Sequence, residues 1–267
     1  MQRIDDAGDE RLSDYRELKD VAARRRIEGD EFFIAEGPVA IERLIASPHR
    51  IRSVVVSKQK YERMKGVLDR LEAPVYCVDK ALLQEIVGFD LHRGAIAAAD
   101  RLAHPSIDDV ARRCSKVAVL EGLNDPENLG AIARSARALG IGALVLDPTC
   151  IDPYTRRTVR VSMGEVLLLP ICRIAGGHWP EAVDVLRRAG FETWAMTPAA
   201  ASHDIWDLAV PERLALMLGA EGPGLTAAAI AVADRLVRLP IDPDVDSLNV
   251  GAAAAVAFAI VARGSVG

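Results

Sequence analysis

From Lys116 onward, short apolar runs rich in Val, Leu and Ala alternate with helix-length segments, and this alternation constrains the fold more than any other feature. Residues 117–120, 143–146, 191–196, 214–218 and 236–239 read as buried strands, and 166–171 is a further apolar run. Residues 129–139 read as a helix closed by Gly140, and 180–188 as one stopped by Gly190. Residues 225–232 and 247–262 complete the helices. Strands separated by helices pair in parallel, with helices on both faces of the sheet. Residues 114–267 are therefore expected to form a parallel-sheet α/β domain.

Residues 1–100 suggest a second, smaller α/β domain. The expected elements are a helix at 14–26, a strand at 32–35 and a helix opened by Glu36-Gly37, with Val39, Ile41, Leu44 and Ile45 on one side. Strands at 54–56, 75–78 and 94–99 alternate with helices at 61–71 and 80–86. Residues 101–113 contain Pro105 and several charges without a sustained apolar pattern, which marks them as a linker.

Half the residues are hydrophobic and 27% are charged, the profile of a soluble globular protein with a sizeable core. Cys77, Cys114, Cys150 and Cys172 include no C-x-x-C pair and no neighbouring His cluster, so reduced thiols in a cytoplasmic protein are expected, and no metal site. The N-terminal residues are polar, with no apolar signal segment. The longest apolar run, residues 250–262, falls short of the ~20 residues of a membrane span and reads as a buried helix. The formal net charge of −5 counts against nucleic-acid binding, although it leaves room for local basic patches. Arg24-Arg25-Arg26, Arg112-Arg113 and Arg156-Arg157 with Arg160 are the candidates, although any single one of them reads first as a solvated face.

In a parallel sheet, ligands bind at the loops that leave the carboxyl ends of strands. Three such loops carry unusual residues. In the first, Asn124-Asp125-Pro126-Glu127-Asn128-Leu129-Gly130, Asn128 is placed to cap the following helix. Arg134, two residues beyond the inward-facing Ile132, projects outward from that helix. The second, Leu218-Gly219-Ala220-Glu221-Gly222-Pro223-Gly224, offers free backbone N–H groups but matches neither G-x-G-x-x-G nor G-K-[ST]. NAD and ATP are therefore disfavoured. Glu221 there could cap the next helix or hold a ligand loop. In the third, Ser247 is a natural N-cap, and Asn249 either satisfies neighbouring backbone or faces a ligand.

Together, LEGLNDPENLGAIARSARALGI, LMLGAEGPGL and VRLPIDPDVDSLNVGAAAAVAFAI resemble, in order, the three signature motifs of the SpoU/TrmH family of RNA ribose-2′-O-methyltransferases. The resemblance runs from Val117 to Arg263, and FFIAEGPVAIERLIA with HRGAIAAADR is similar to that family's substrate-binding domain, which has a ribosomal-protein-like fold. It implies a deep trefoil knot formed by residues 214–224 and 236–249, and a homodimer through the knotted domain. It implies S-adenosylmethionine held near Thr197, Leu218, Gly219, Gly222, Leu239, Ser247 and Leu248. It implies catalytic-site roles for Arg134, Asn128, Glu221, Ser247 and Asn249, with Arg134 orienting the 2′-hydroxyl rather than acting as an ordinary base. The N-terminal half lacks an aromatic cluster suited to stacking bases, so RNA binding is expected to rest on Arg156, Arg157 and Arg160. The substrate expected is RNA, ribosomal rather than transfer RNA. The alternatives are a tRNA 2′-O-methyltransferase, a base methyltransferase of the same fold, and a catalytically silent RNA- or ribosome-binding protein.

Overall fold

The computed structural model describes residues 1–19, 27–91, 93–199, 201–242 and 244–262. The chain divides into two compact units. One comprises Met1–Leu102 with Tyr154–Leu168, the other Ala103–Pro153 with Leu169–Gly267.

The first unit is built on five strands: β1 (Gln2–Arg3), β2 (Phe32–Glu36), β3 (Ile51–Ser57), β4 (Val75–Val78) and β5 (Ala95–Asp100). They lie in the order β1-β4-β3-β5-β2, with β5 antiparallel to both its neighbours and the other pairs parallel. The helices Pro38–Ile45, Lys58–Leu68 and Lys80–Val87 fall close to their expected positions. Gly37, at φ +95, turns the chain from β2 into the first of these, which buries Ala40, Ile41 and Leu44 while Val39 stays exposed. The expected helix at 14–26 is not formed in its described part. A short 3-10 helix, Glu10–Tyr15, is capped by Asp9 and ended by extended Arg16 and by Glu17 at φ +56. Tyr15 is the reason this segment stays put: its hydroxyl bonds Ser53 in the sheet and receives the Ala98 N–H. Arg24-Arg25-Arg26 lies outside the described residues.

The second unit holds β6 (Lys116–Leu120), β7 (Ala143–Leu146), β8 (Ile171–Arg173), β9 (Glu192–Met196), β10 (His203–Asp204), β11 (Leu214–Leu218) and β12 (Arg235–Arg238). Their order is β10-β12-β9-β11-β6-β7-β8, and every neighbouring pair is parallel. The central strands are buried along their whole length, as strands covered on both faces must be. No helix among the described residues is long and apolar enough to cross a membrane.

Two boundaries differ from expectation. Residues 101–113 are not merely a linker, because Ile107–Arg113 is helical and most of the segment belongs to the second unit. Seven residues are too few to show a period, but Ser106 and Asp109 form a complete capping box. Residues 154–168, expected within the C-terminal domain, pack instead with the first unit. Tyr154 stacks on Phe33 at 5.1 Å, Arg156 bonds the buried carboxylate of Glu36 at 2.5 Å, and Glu165 pairs with Arg43 at 2.7 Å. These partners are more than 100 positions away in the chain, so no local pattern reveals them.

The cysteines are free thiols, and burial pushes Cys150 up to about 12 and Cys172 up to about 11. Cys150 adjoins Asp147, which ends β7 with its side chain almost wholly enclosed, 2% exposed. Burial alone would raise this carboxyl. Bonds from Thr149 (2.6 Å), Cys150 (backbone N–H, 2.9 Å) and Gly122 (backbone N–H, 3.1 Å) outweigh it and hold Asp147 below the ordinary carboxylate value. A depressed carboxyl stabilises the fold above its unfolded pKa and loses that contribution as pH falls through its folded value. Asp147→Asn should therefore cost about 1.5–3 kcal/mol at neutral pH. The gap from the parent should narrow as pH drops below about 4. Denaturant titrations of both proteins across that range check this, and a pH-independent gap would count against it.

Candidate active site

The order of the larger sheet reverses at β6. The chain runs outward through β7 and β8 on one side, then returns to lay β9, β11 and β12 on the other. The loops leaving β6 and β11 therefore flank the switch point, where an open parallel sheet leaves a crevice. The chain stays tightly joined there: the Glu121 N–H bonds the Leu218 carbonyl at 2.9 Å, and a Cβ on Gly122 would sit 3.2 Å from that of Ala220.

The three loops singled out in the sequence meet at Asn128. Its amide nitrogen donates to Glu221 Oε2 at 3.0 Å, and its amide oxygen accepts from Asn249 Nδ2 at 2.8 Å. Asn249 in turn accepts the N–H groups of Gly251 and Ala252. Asn249, not Ser247, thus caps the helix Val250–Ala262. Nor does Asn128 cap its own helix. Asp125 does so, accepting from Glu127 N at 2.8 Å, which places Asn128 in the first turn with its side chain free to reach across. Glu221 does not cap the helix Ala227–Ala231, whose N-cap is Thr226; its carboxylate accepts from Asn128.

Beside this cluster lies a cleft over the ends of β9, β11 and β12. Thr197, Leu218, Gly219, Gly222, Leu239, Ser247 and Leu248, all expected at a ligand site, line it. Met196, Ile241 and Val250 add apolar surface, and Arg238 and Glu221 are its charged residues. The Leu218–Gly224 wall is shaped by backbone packing. A Cβ on Gly219 would lie 2.1 Å from the carbonyl carbon of Gly224, and the Gly224 N–H closes a turn onto Ala220. Such a cleft, mainly apolar with one acid and one base in its lining, suits a small ligand that has an apolar part and charged groups of both signs.

Not every expected residue joins it. Ile132 is buried and Arg134 exposed, as their spacing implied, but Arg134 is not among the residues lining the cleft. Arg156, Arg157 and Arg160 lie on the helix Arg156–Val161 in the first unit. Arg156 is held by Glu36 and lies over the Phe89 ring at 4.6 Å, and Arg160 approaches the same carboxylate at 3.8 Å. Part of that patch's charge is thus neutralised internally. Conversely, the sequence reading passed over Glu121, whose carboxylate is 5% exposed at the switch point. A charged residue placed directly after a buried strand was the available signal.

Residues 115–259 match the model of the SpoU rRNA Methylase family. The chain is 41% identical over 270 residues to an uncharacterised tRNA/rRNA methyltransferase of Mycobacterium tuberculosis, covering 97% of this chain and 90% of the relative. It is 28% identical over 215 residues to a 23S rRNA (guanosine-2′-O-)-methyltransferase of Vibrio cholerae, covering 77% of this chain and 85% of that one. The fold matches the crystal structure of an AdoMet-bound rRNA methyltransferase from Sinorhizobium meliloti with a TM-score of 0.82, at 24% identity over 100% of this chain and 99% of the other.

Because the Gly219 position meets backbone rather than a flexible side chain, Gly219→Ala should destabilise the protein by on the order of 3 kcal/mol or more. Thermal denaturation measures this. A midpoint within about 2 °C of the parent would show that the loop tolerates the methyl group.

Proposed function

The chain belongs to the SpoU rRNA methylase family and is an S-adenosylmethionine-dependent RNA methyltransferase, and we propose that its acceptor is a ribose 2′-hydroxyl of ribosomal RNA. The observation that carries this reading is the meeting of three strand-end loops at Asn128, beside a cleft whose chemistry fits the cofactor. The Vibrio cholerae relative, a 23S rRNA (guanosine-2′-O-)-methyltransferase, supports the same acceptor.

When bound, S-adenosylmethionine supplies an electrophilic methyl group on a sulfonium. The roles of the protein are to bind, orient and shield. Leu218, Leu239, Leu248 and the backbone of Gly219 and Gly222 enclose the ligand, with Thr197 and Ser247 at its polar edges. Glu221 places a negative charge at the cleft that complements a cationic ligand. Asn128 and Asn249 fix that carboxylate relative to the helix Val250–Ala262. Arg134 orients and polarises the 2′-hydroxyl, whose proton passes to the adjacent phosphate. Most of the rate enhancement then comes from holding two reactants in line.

In the same reading, residues 214–224 and 236–249 form a trefoil knot, and two copies pair through that region. The helix Val250–Ala262 supports pairing: its outward side carries Ala252, Val256 and Ala259, and Leu248 precedes it, all exposed and apolar. RNA is held by the patch of Arg156, Arg157 and Arg160, in which Arg156 and Arg160 share the carboxylate of Glu36. The enzyme acts in the cytoplasm.

Mapping of 2′-O-methyl sites in cellular RNA with and without the gene should show one missing site in ribosomal RNA. A loss confined to tRNA would overturn the choice of substrate, and no loss would favour a silent binding protein. Arg134→Ala should abolish methyl transfer while cofactor affinity, measured by calorimetry, stays near that of the parent. Retained activity would remove Arg134 from the mechanism. Arg157→Ala combined with Arg160→Ala should weaken RNA binding and flatten its salt dependence by about two phosphate contacts. An unchanged slope would exclude that patch from the RNA surface.

A further inference from the structure

Glu121 is a buried carboxylate that the chemistry described above does not use. It follows β6 directly, and both its oxygens are taken. Oε1 accepts from Trp179 Nε1 at 2.6 Å and from Thr226 Oγ1 at 2.8 Å, while Oε2 accepts from Thr226 N at 2.8 Å. Three donors converging on an acid that is 5% exposed offset the cost of removing its charge from water.

What these donors belong to matters more than their number. Thr226 is the N-cap of the helix Ala227–Ala231, accepting from Ala229 N at 3.1 Å, and it ends the loop that begins at Gly219. That loop lines the cleft with Gly219, Ala220, Glu221, Gly222 and Gly224. Its start is set by β11, and its middle is closed by the bond from Gly224 N to Ala220 O. Two side-chain anchors hold it from outside: Glu221, within that turn, to Asn128, and Thr226, at the far end, to Glu121. Glu121 directly follows the neighbouring strand, where its own N–H bonds the Leu218 carbonyl, so it ties the loop to the sheet rather than to itself. Trp179, from the segment that follows β8, holds the same carboxylate from another side and so restricts its rotamer.

We propose that Glu121 is a positioning residue for cofactor binding, setting the shape of the Gly219–Gly224 wall through Thr226, with Trp179 holding the carboxylate in place. This rests on the reading of the cleft as the S-adenosylmethionine site. Glutamine is nearly isosteric but has only one acceptor oxygen, and its NH2 group would face a donor. At least one of the three bonds is then lost and the loop end released. Because Glu121 does not touch the reacting atoms, its loss acts on cofactor affinity and not on the chemical step.

The test is calorimetric titration of S-adenosylmethionine into the full-length parent, Glu121→Gln and Trp179→Phe, together with steady-state kinetics and thermal midpoints recorded without cofactor. Glu121→Gln should raise the Kd and the cofactor KM on the order of tenfold and leave kcat at saturating cofactor within about threefold. Trp179→Phe keeps the aromatic ring, removes only the N–H, and should raise the Kd about threefold. If Glu121→Gln does not fold, Trp179→Phe decides alone. A lowered thermal midpoint with Kd values within about twofold of the parent would mark a merely structural role and overturn the proposal. A parent protein that binds no S-adenosylmethionine would overturn the reading of the cleft as well, which separates the two failures.

Discussion

Asn128 uses both halves of its amide, and the geometry of the site follows from that. Asn249 spends its oxygen on two N–H groups at the start of the helix Val250–Ala262, so only its NH2 is left to point across. Asn128 must meet that NH2 with its own oxygen, which leaves its nitrogen to donate to Glu221. The chain of bonds therefore has a single direction, set by a helix terminus at one end and a carboxylate at the other. Aspartate at 128 could not donate and would set two carboxylates face to face. Serine would be too short to reach either partner.

The parallel sheet makes this arrangement possible. Strand order brings the ends of β6 and β11 together although nearly 100 residues separate them, and each loop there is held from the neighbouring strand. Asp147 secures the loop after β6 from the end of β7, and Glu121 secures the loop after β11 from the end of β6. Both are acids buried beneath backbone N–H donors. A carboxylate has the greatest capacity to accept such groups, and enclosed loops leave many of them without a partner in the regular ladder. Gly219 completes the picture by its lack of a side chain, since the turn back to Gly224 occupies the space a Cβ would need.

The most basic helix of the first unit is held by an acid. In the first unit, Glu36 lies beneath two arginines of the helix Arg156–Val161 and anchors that helix against β2. The same guanidinium groups that give the segment its basic character also attach it to the unit. That attachment neutralises part of the charge of Arg156 and Arg160.

The alternating apolar runs of residues 116–262 were sufficient to establish a parallel α/β domain, because a strand buried on both faces must be short and apolar throughout. The polar strand-end turns singled out in the sequence do converge, through Asn128, Glu221 and Asn249, and several residues of the second and third line the cleft, whereas Arg134 does not. Which residue serves which helix was not legible. Ser247 and Asn249 are both competent caps, as are Asp125 and Asn128, and local chemistry does not separate them. The choice was made by what lay across the crevice. The allegiance of residues 154–168 and the role of Glu121 were decided in the same way, by Phe33 and Glu36 for the one and Thr226 and Trp179 for the other. Hydrophobic period and capping propensity act within about a dozen residues, so the sequence by itself determined the elements and the kinds of residue at their ends. Pairing between those ends depends on strand order, which only the tertiary structure supplied.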